Sequence, residues 1–167
     1  GCLQNVTTGS SNAALGDTAM SGTTTGSNSV GIGRDALAAV FTGQRVVAIG
    51  VQAGFKNTSG HRNTLLGSEA GHEILTGSFN TACGAGNTGT GIAADNRGAL
   101  YNLVSGSYNI GIGGITNAAV NGSSTGGAGA AYTGAESSNI CIGNATIGTL
   151  GESNVMRLGT TGAGAGQ

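Results

Sequence analysis

An eight-residue motif that closes with an apolar residue and a glycine recurs eight times in this 167-residue chain, and its spacing limits the fold more than any other feature. The copies open at residues 9, 26, 43, 60, 77, 106, 136 and 152. The first four steps are 17 residues each, the next two are 29 and 30, and the last is 16. A fixed period of this length is typical of solenoids. We therefore expect a chain wound into stacked coils of about 17 residues.

The end of each motif predicts a short strand closed by a tight corner. The closing position is glycine in every copy, which suits a corner where only glycine tolerates a positive φ or a close backbone approach. Apolar residues stand one and three positions earlier, as in Val30 and Ile32, with a small residue usually between them. This period of two predicts a strand with one buried face, and we expect the two aliphatic columns to point inward. The predicted corner residues are Gly16, Gly33, Gly50, Gly67, Gly84, Gly113, Gly143 and Gly159.

The residues after each corner predict a second, shallower inward column, formed in the first four copies by Ala19, Ala36, Ala53 and Ala70. Segments such as 34–41 and 68–75 also suit one helical turn, since Ala, Leu and Glu favour helix. We favour a second short strand or a bend, because coils stacked about 4.8 Å apart leave no room for a helix beside every strand. The predicted fold is an all-β solenoid of short parallel β-coils.

Asparagine recurs at the fourth motif position, where stacked amides can hydrogen bond along a solenoid. We interpret this column as a structural ladder and not as a ligand site. Its members are Asn12, Asn63, Asn80, Asn109 and Asn139.

Composition excludes several classes of protein. The net charge is only −1, and apolar residues recur at fixed places, which argues against disorder despite 35 glycines. Six Lys and Arg residues are scattered without a cluster, so we expect no nucleic-acid partner. No apolar run is long enough for a membrane-spanning helix, so we expect no membrane insertion.

Catalytic and metal chemistry is not written into the repeat. The chain has two histidines, His61 and His72, and seven acidic residues, with no paired carboxylates. We expect both histidines to be exposed coil residues, and we predict no catalytic residue, no metal and no cofactor. We expect the three cysteines to be free thiols, with Cys83 and Cys141 unpaired because they lie two coils apart.

The chain divides by repeat regularity into a connection at 1–8, regular coils at 9–84, coils with two long excursions at 85–135, final coils at 136–159 and a Gly-rich exit at 160–167. Each coil offers few apolar side chains, and the whole chain has only six aromatic residues. Ordering so many backbones around so little apolar surface is unfavourable. We therefore expect further burial against other copies of the chain, in an obligate homo-oligomer.

Segments such as TGSNSVGIGRDAL at 25–37 and SGHRNTLLGSEAG at 59–71 resemble repeats of bacteriophage tail fibres and related viral or bacterial surface fibres. They are also similar to the heads of trimeric autotransporter adhesins. The stretch ESNVMRLGTTG at 152–162 resembles the segment that leads into a C-terminal chaperone in many tail fibres. The resemblance implies an elongated homotrimer on a virion tail or extracellular surface, attached to other virion or fibre proteins. It implies attachment to a host surface saccharide or protein.

Within that expectation, the two long excursions are the segments predicted to recognise the host, because loops on rigid scaffolds commonly carry binding. The candidate receptor contacts combine aromatic rings with amide and charged groups. They are Asp95, Asn96, Arg97, Tyr101, Asn102 and Tyr132. An equal alternative is that these segments brace the trimer.

Two other functions remain open. Thr or Ser stands directly before each of several opening residues, which is compatible with an ice-binding solenoid. A second hydroxyl column beside it is interrupted by Phe41 and Leu75. The other alternative is an extracellular structural filament without an attachment role.

Overall fold

The computed structural model describes residues 1–39, 41–86, 97–114, 127–129, 132, 134–143 and 149–159, so the exit at 160–167 lies outside the described residues. These residues form eight strands of three residues each. The strands are β1 (Ala13–Leu15), β2 (Val30–Ile32), β3 (Val47–Ile49), β4 (Thr64–Leu66), β5 (Thr81–Cys83), β6 (Ile110–Ile112), β7 (Ile140–Ile142) and β8 (Met156–Leu158).

All eight strands belong to one parallel sheet in chain order from β1 to β8. Their register pairs equivalent motif positions, as in Ala13 with Val30 and Leu15 with Ile32. The two longer steps keep this register, since Thr81 of β5 pairs with Ile110 of β6. This confirms the predicted all-β solenoid of parallel coils about 17 residues apart.

The corner glycines are confirmed. Each of the eight has a positive φ, between 103° at Gly159 and 157° at Gly84. The corners also stack closely: a Cβ on Gly50 would lie 2.4 Å from the carbonyl carbon of Gly67 in the next coil. Both the backbone conformation and the space therefore require glycine.

The predicted facing of the strands was wrong. The middle residue of β2 to β7 is buried, whereas its two neighbours point outward. Ile49 and Ile112, for example, are 39% and 40% exposed. The interior is too narrow for two columns of large side chains, so the small middle column fills it. The sheet instead presents two outward columns, which we call the aliphatic face. Its residues are Ala13, Leu15, Val30, Ile32, Val47, Ile49, Thr64, Leu66, Thr81, Cys83, Ile110, Ile112, Ile140, Ile142, Met156 and Leu158.

The segment after each corner is neither a second strand nor a helical turn. It is a bent stretch of successive hydrogen-bonded turns, as from Ala53 N to Gly50 O (3.2 Å) and from Phe55 N to Gln52 O (3.2 Å). Gln52 lies at φ 56°, the positive value that the third residue of a type II turn requires. The predicted alanine column is confirmed, because Ala19, Ala36, Ala53 and Ala70 are all fully buried.

The core is a narrow slot whose two walls have complementary sizes. One wall is the middle strand column, and the other lies four residues beyond each corner. A Cβ on Gly31 would lie 2.6 Å from Cγ of Met20 opposite, so the small strand residue makes room for the large one. Two coils later the sizes are reversed, since a Cβ on Gly54 would lie 2.7 Å from Cδ1 of Leu65. Each layer thus keeps a near-constant volume.

The asparagine ladder is confirmed as a structural feature. Asn80 Oδ1 accepts a hydrogen bond from the backbone N–H of Asn109 at 2.9 Å, and its Nδ2 donates to the Gly106 carbonyl oxygen at 2.9 Å. Each amide therefore joins its own coil to the next by two bonds. Ser29 replaces asparagine in the second copy, where its hydroxyl accepts from the Val46 N–H at 3.1 Å. Val46 has no side-chain acceptor, so the ladder is interrupted at that coil.

Reversing one core pair tests the size complementarity. We expect Gly31→Leu to lower the free energy of unfolding by about 1–3 kcal/mol, because the new side chain collides with Met20. Adding Met20→Gly should restore most of that loss, since it recreates the Gly54 and Leu65 pairing and places glycine at the positive φ of 52°. Urea unfolding of the two single variants and the double variant measures the coupling, and simple additivity would contradict the arrangement.

Candidate functional site

The first long excursion leaves the solenoid at one defined point of a coil. The N–H of Ala99 donates to Gly84 O at 3.1 Å, as the N–H of Ala70 donates to Gly67 O at 3.2 Å. Gly86, in turn, keeps the position that Glu69 has in the preceding coil, because both donate to the residue after the previous corner. The extra residues are therefore confined between Gly86 and Ala99.

The second excursion leaves from the same point of the next coil. Ala128 N donates to Gly113 O at 3.0 Å, and Leu100 N donates to Ala128 O at 2.9 Å. The extra residues thus lie between Gly114 and Ala128. Residues 87–96 and 115–126 are outside the described residues, and so are the predicted contacts Asp95 and Asn96. Residues 99–105, which the sequence analysis included in the first excursion, belong to the regular coil.

Three of the predicted contacts lie together beside this exit. The guanidinium carbon of Arg97 is 5.4 Å from the centroid of the Tyr101 ring, a cation–π arrangement. Asn102 follows Tyr101 and is half-buried. The N–H of Gly127 donates to Arg97 O at 2.7 Å, so the return points of the two excursions are tied to each other.

Two residues that the sequence analysis missed extend this cluster into a stack of rings. His72 lies 4.7 Å from Tyr101 with an interplanar angle of 5°, and 5.1 Å from Phe55 with an angle of 23°. The expectation that His72 is exposed was wrong, since it is 8% exposed between the two rings. Aligning Ala99 with Ala70 would have revealed the shared column. His61, by contrast, is exposed as expected.

Charged groups surround the stack. His72 Nδ1 lies 2.9 Å from Glu73 Oε1, and Lys56 Nζ lies 2.7 Å from Glu73 Oε2. Burial lowers the pKa of His72, and the bond to Glu73 offsets this only in part. Burial alone would raise the pKa of Glu73, but its bonds with Lys56 and His72 hold the pKa below its ordinary value. Burial also raises the pKa of Glu69, against the opposing charge of Arg97. His72 is therefore a neutral member of the stack at pH 7.

Tyr132 belongs to the interior and not to the receptor-contact cluster. It is fully buried, and its hydroxyl donates to Glu152 Oε1 at 2.7 Å and lies 3.1 Å from Cys141 Sγ. Arg157 Nη2 donates to Glu152 Oε2 at 2.5 Å, and this bond holds the pKa of Glu152 at about 2. The aromatic ring thus fills the core at the last coils, where the sequence analysis placed it on a surface loop.

The described residues carry no group of three metal-ligating side chains, and none of their segments is a helix that could cross a membrane. Cys2, Cys83 and Cys141 are free, as predicted. In the hydroxyl columns, Thr42 and Thr58 each donate to a carbonyl oxygen of the next coil at 3.0 Å, so these donors are already used within the chain.

Comparison with known proteins does not identify the chain: no protein-family model, curated protein or solved structure matches it.

The lowered pKa of His72 predicts an acid-sensitive coil stack. Stability linked to a lowered histidine pKa is fully present above the unfolded value of 6.5 and declines as the pH falls below it, because the buried ring must then become charged. We expect the melting temperature to fall between pH 7 and pH 5, and to fall less in His72→Phe, which keeps a ring like that of Phe55. Thermal unfolding across this range measures the difference, and parallel pH profiles would contradict it.

Proposed function

We propose that the protein is a structural component of a surface fibre that attaches to a host cell, with the regular coils as its scaffold. The observation that carries this proposal is the aliphatic face of the continuous parallel sheet. Leu66, Ile112 and Ile142 are each more than a third exposed on it, although they stand in the most regular columns of the repeat. Side chains of this kind, placed in register on a flat surface, indicate an interface between elongated molecules.

The proposed assembly is a homotrimer with the aliphatic faces turned toward a common axis. Seven coil steps of about 4.8 Å give a face about 34 Å long, and a strand with its flanking residues is about 13 Å wide. A face of this size is at the low end for a stable pair of proteins. Three copies around one axis cover both columns of every chain, which fits the thin apolar content of each coil. The resemblance to trimeric fibres supports the same arrangement.

A charge on the aliphatic face should disrupt the trimer. We expect light scattering of the parent protein to give three times the chain mass, and Ile112→Glu to reduce that mass by burying an unpaired carboxylate. Leu75→Glu is the matched control, because Leu75 is 39% exposed but lies off the sheet, while Ile112 is 40% exposed on it. A monomeric parent protein, or equal behaviour of the two variants, would remove the proposed interface.

The attachment surface is proposed at the exit of the two excursions, next to Arg97, Tyr101 and Asn102. This region combines an aromatic ring, a guanidinium and an amide on a rigid coil, a combination suited to a saccharide or a protein epitope. It is also where the chain departs from the repeat, twice in succession and at the same point. A scaffold that holds two neighbouring insertions side by side is a common way to build a recognition surface.

Removing the insertions tests attachment separately from assembly. Deleting 87–98 joins Gly86 to Ala99, and deleting 116–127 restores the regular length of the next coil. We expect each variant to keep the trimer mass and nearly the parent melting temperature while losing adhesion to bacterial cells of a panel with differing surface polysaccharides. Adhesion that survives both deletions would move recognition elsewhere, and loss of the trimer would favour a bracing role for the insertions.

A further inference from the structure

A second surface feature follows the third motif position of the central coils, away from the excursions. Its residues are Arg45, Arg62, Phe79 and Tyr108, which we call the arginine–aromatic column. The guanidinium carbon of Arg62 lies 5.1 Å from the Phe79 ring centroid. The rings of Phe79 and Tyr108 lie 4.8 Å apart at an interplanar angle of 8°. Phe79 is 39% exposed and Tyr108 is 59% exposed, so the column is a ridge on the surface.

The backbone at this position does not favour such side chains. The third motif residue is left-handed in all eight copies, with φ between 55° and 63°. The first two and last two copies place Ser11, Asn28, Ser138 and Asn154 there, short polar residues of the kind that tolerates this conformation or forms turns. Large side chains held in it cost of order 1 kcal/mol or more each. The four central residues are therefore not explained by the needs of the coil.

The column is polar and cationic at one end. Arg45, Arg62, Gln44 and His61 line a shallow depression. His61 Nδ1 accepts a hydrogen bond from the Gln44 N–H at 3.1 Å, so in the neutral ring Nε2 carries the hydrogen. Two guanidinium groups, an imidazole N–H and an amide are thus available to an anionic ligand. Guanidinium groups bind carboxylates and sulfates in bidentate geometry.

We propose that the arginine–aromatic column binds an extended acidic oligosaccharide along the solenoid axis. Neighbouring coils repeat about every 4.8 Å, which is close to the length of one sugar residue in an extended chain. Carboxylate or sulfate groups on adjacent sugars would meet Arg45 and Arg62, while the apolar faces of later sugars would contact Phe79 and Tyr108. A nucleic acid fits less well, because the chain has a net charge of −1 and only six Lys and Arg residues.

This inference deepens the proposed attachment function, on which it rests for its purpose in the cell. In the proposed trimer the column borders the aliphatic face, at the bend before each strand, and so follows the edge of the groove between copies. It assigns ligand binding to regular coils that were expected from the sequence to be scaffold alone.

Calorimetric titration of the purified full chain tests the site with three hexasaccharides: an oligogalacturonate, a heparin-derived oligomer and neutral maltohexaose. We expect binding of at least one acidic probe and none of the neutral one, and the preferred probe distinguishes carboxylate from sulfate. The double variant Arg45→Asn with Arg62→Asn should weaken that binding by more than about tenfold. Phe79→Asn with Tyr108→Asn should weaken it by about threefold to tenfold.

The control variant is Arg34→Asn, which removes one exposed arginine outside the column and should change the affinity by less than about twofold. Asparagine occurs naturally at the third motif position, at φ 57° in Asn28 and 63° in Asn154, so the column variants should keep the parent melting temperature. If either double variant fails to fold, Arg62→Gln replaces it, since Gln52 occupies a left-handed conformation at φ 56°.

Several results would overturn the inference. They are no binding of either acidic probe, an equal loss of binding in Arg34→Asn, tighter binding of single-stranded DNA than of the saccharides, or a fall in melting temperature that shows the ring stack to be structural. The attachment function can fail separately. A chain that binds an acidic oligosaccharide but adheres to no cell keeps the site and loses the attachment role, and the reverse result keeps attachment and removes the site.

Discussion

The hydrogen bonds between parallel coils are the interaction on which the rest of the structure depends. They pair each residue with its equivalent one coil away, so every coil must repeat the same backbone conformation. This is why the third motif position is left-handed whether it holds Asn28 or Tyr108. It is also why a buried amide such as that of Asn80 can be satisfied by two backbone groups of the next coil. Local preference is overridden wherever it conflicts with stacking.

The narrow interior that results from this stacking determines where side chains of each size are placed. Small residues fill the slot between the sheet and the turns, and larger ones enter only opposite a glycine, as Leu65 does opposite Gly54. The remaining aliphatic side chains are left on the outer face of the sheet. A single chain therefore carries a second apolar layer that it does not cover itself, which is the physical basis of the proposed trimer.

The period, the eight strands, the glycine corners, the alanine column and the asparagine ladder could all be predicted from the sequence, because each depends on residue types that recur at fixed spacing. The facing of the strands could not, since a period of two does not tell which face is buried. The positions of Tyr132 and His72 were missed for another reason: twelve extra residues hide the equivalence of Ala99 with Ala70 until the hydrogen bonds reveal it. The left-handed column was concealed by Arg, Phe and Tyr, which give no hint of that conformation.

The paired sizes in the core bear on how such a repeat array evolves. Gly31 lies against Met20 of the coil before it, so a coil inserted alone by gene duplication would bring one half of a matched pair to a neighbour of the wrong size. Duplication of two adjacent coils would carry the pair intact. The array is thus expected to lengthen by multiples of a larger genetic unit than its structural repeat, and its coils are not freely exchangeable although their backbones are alike.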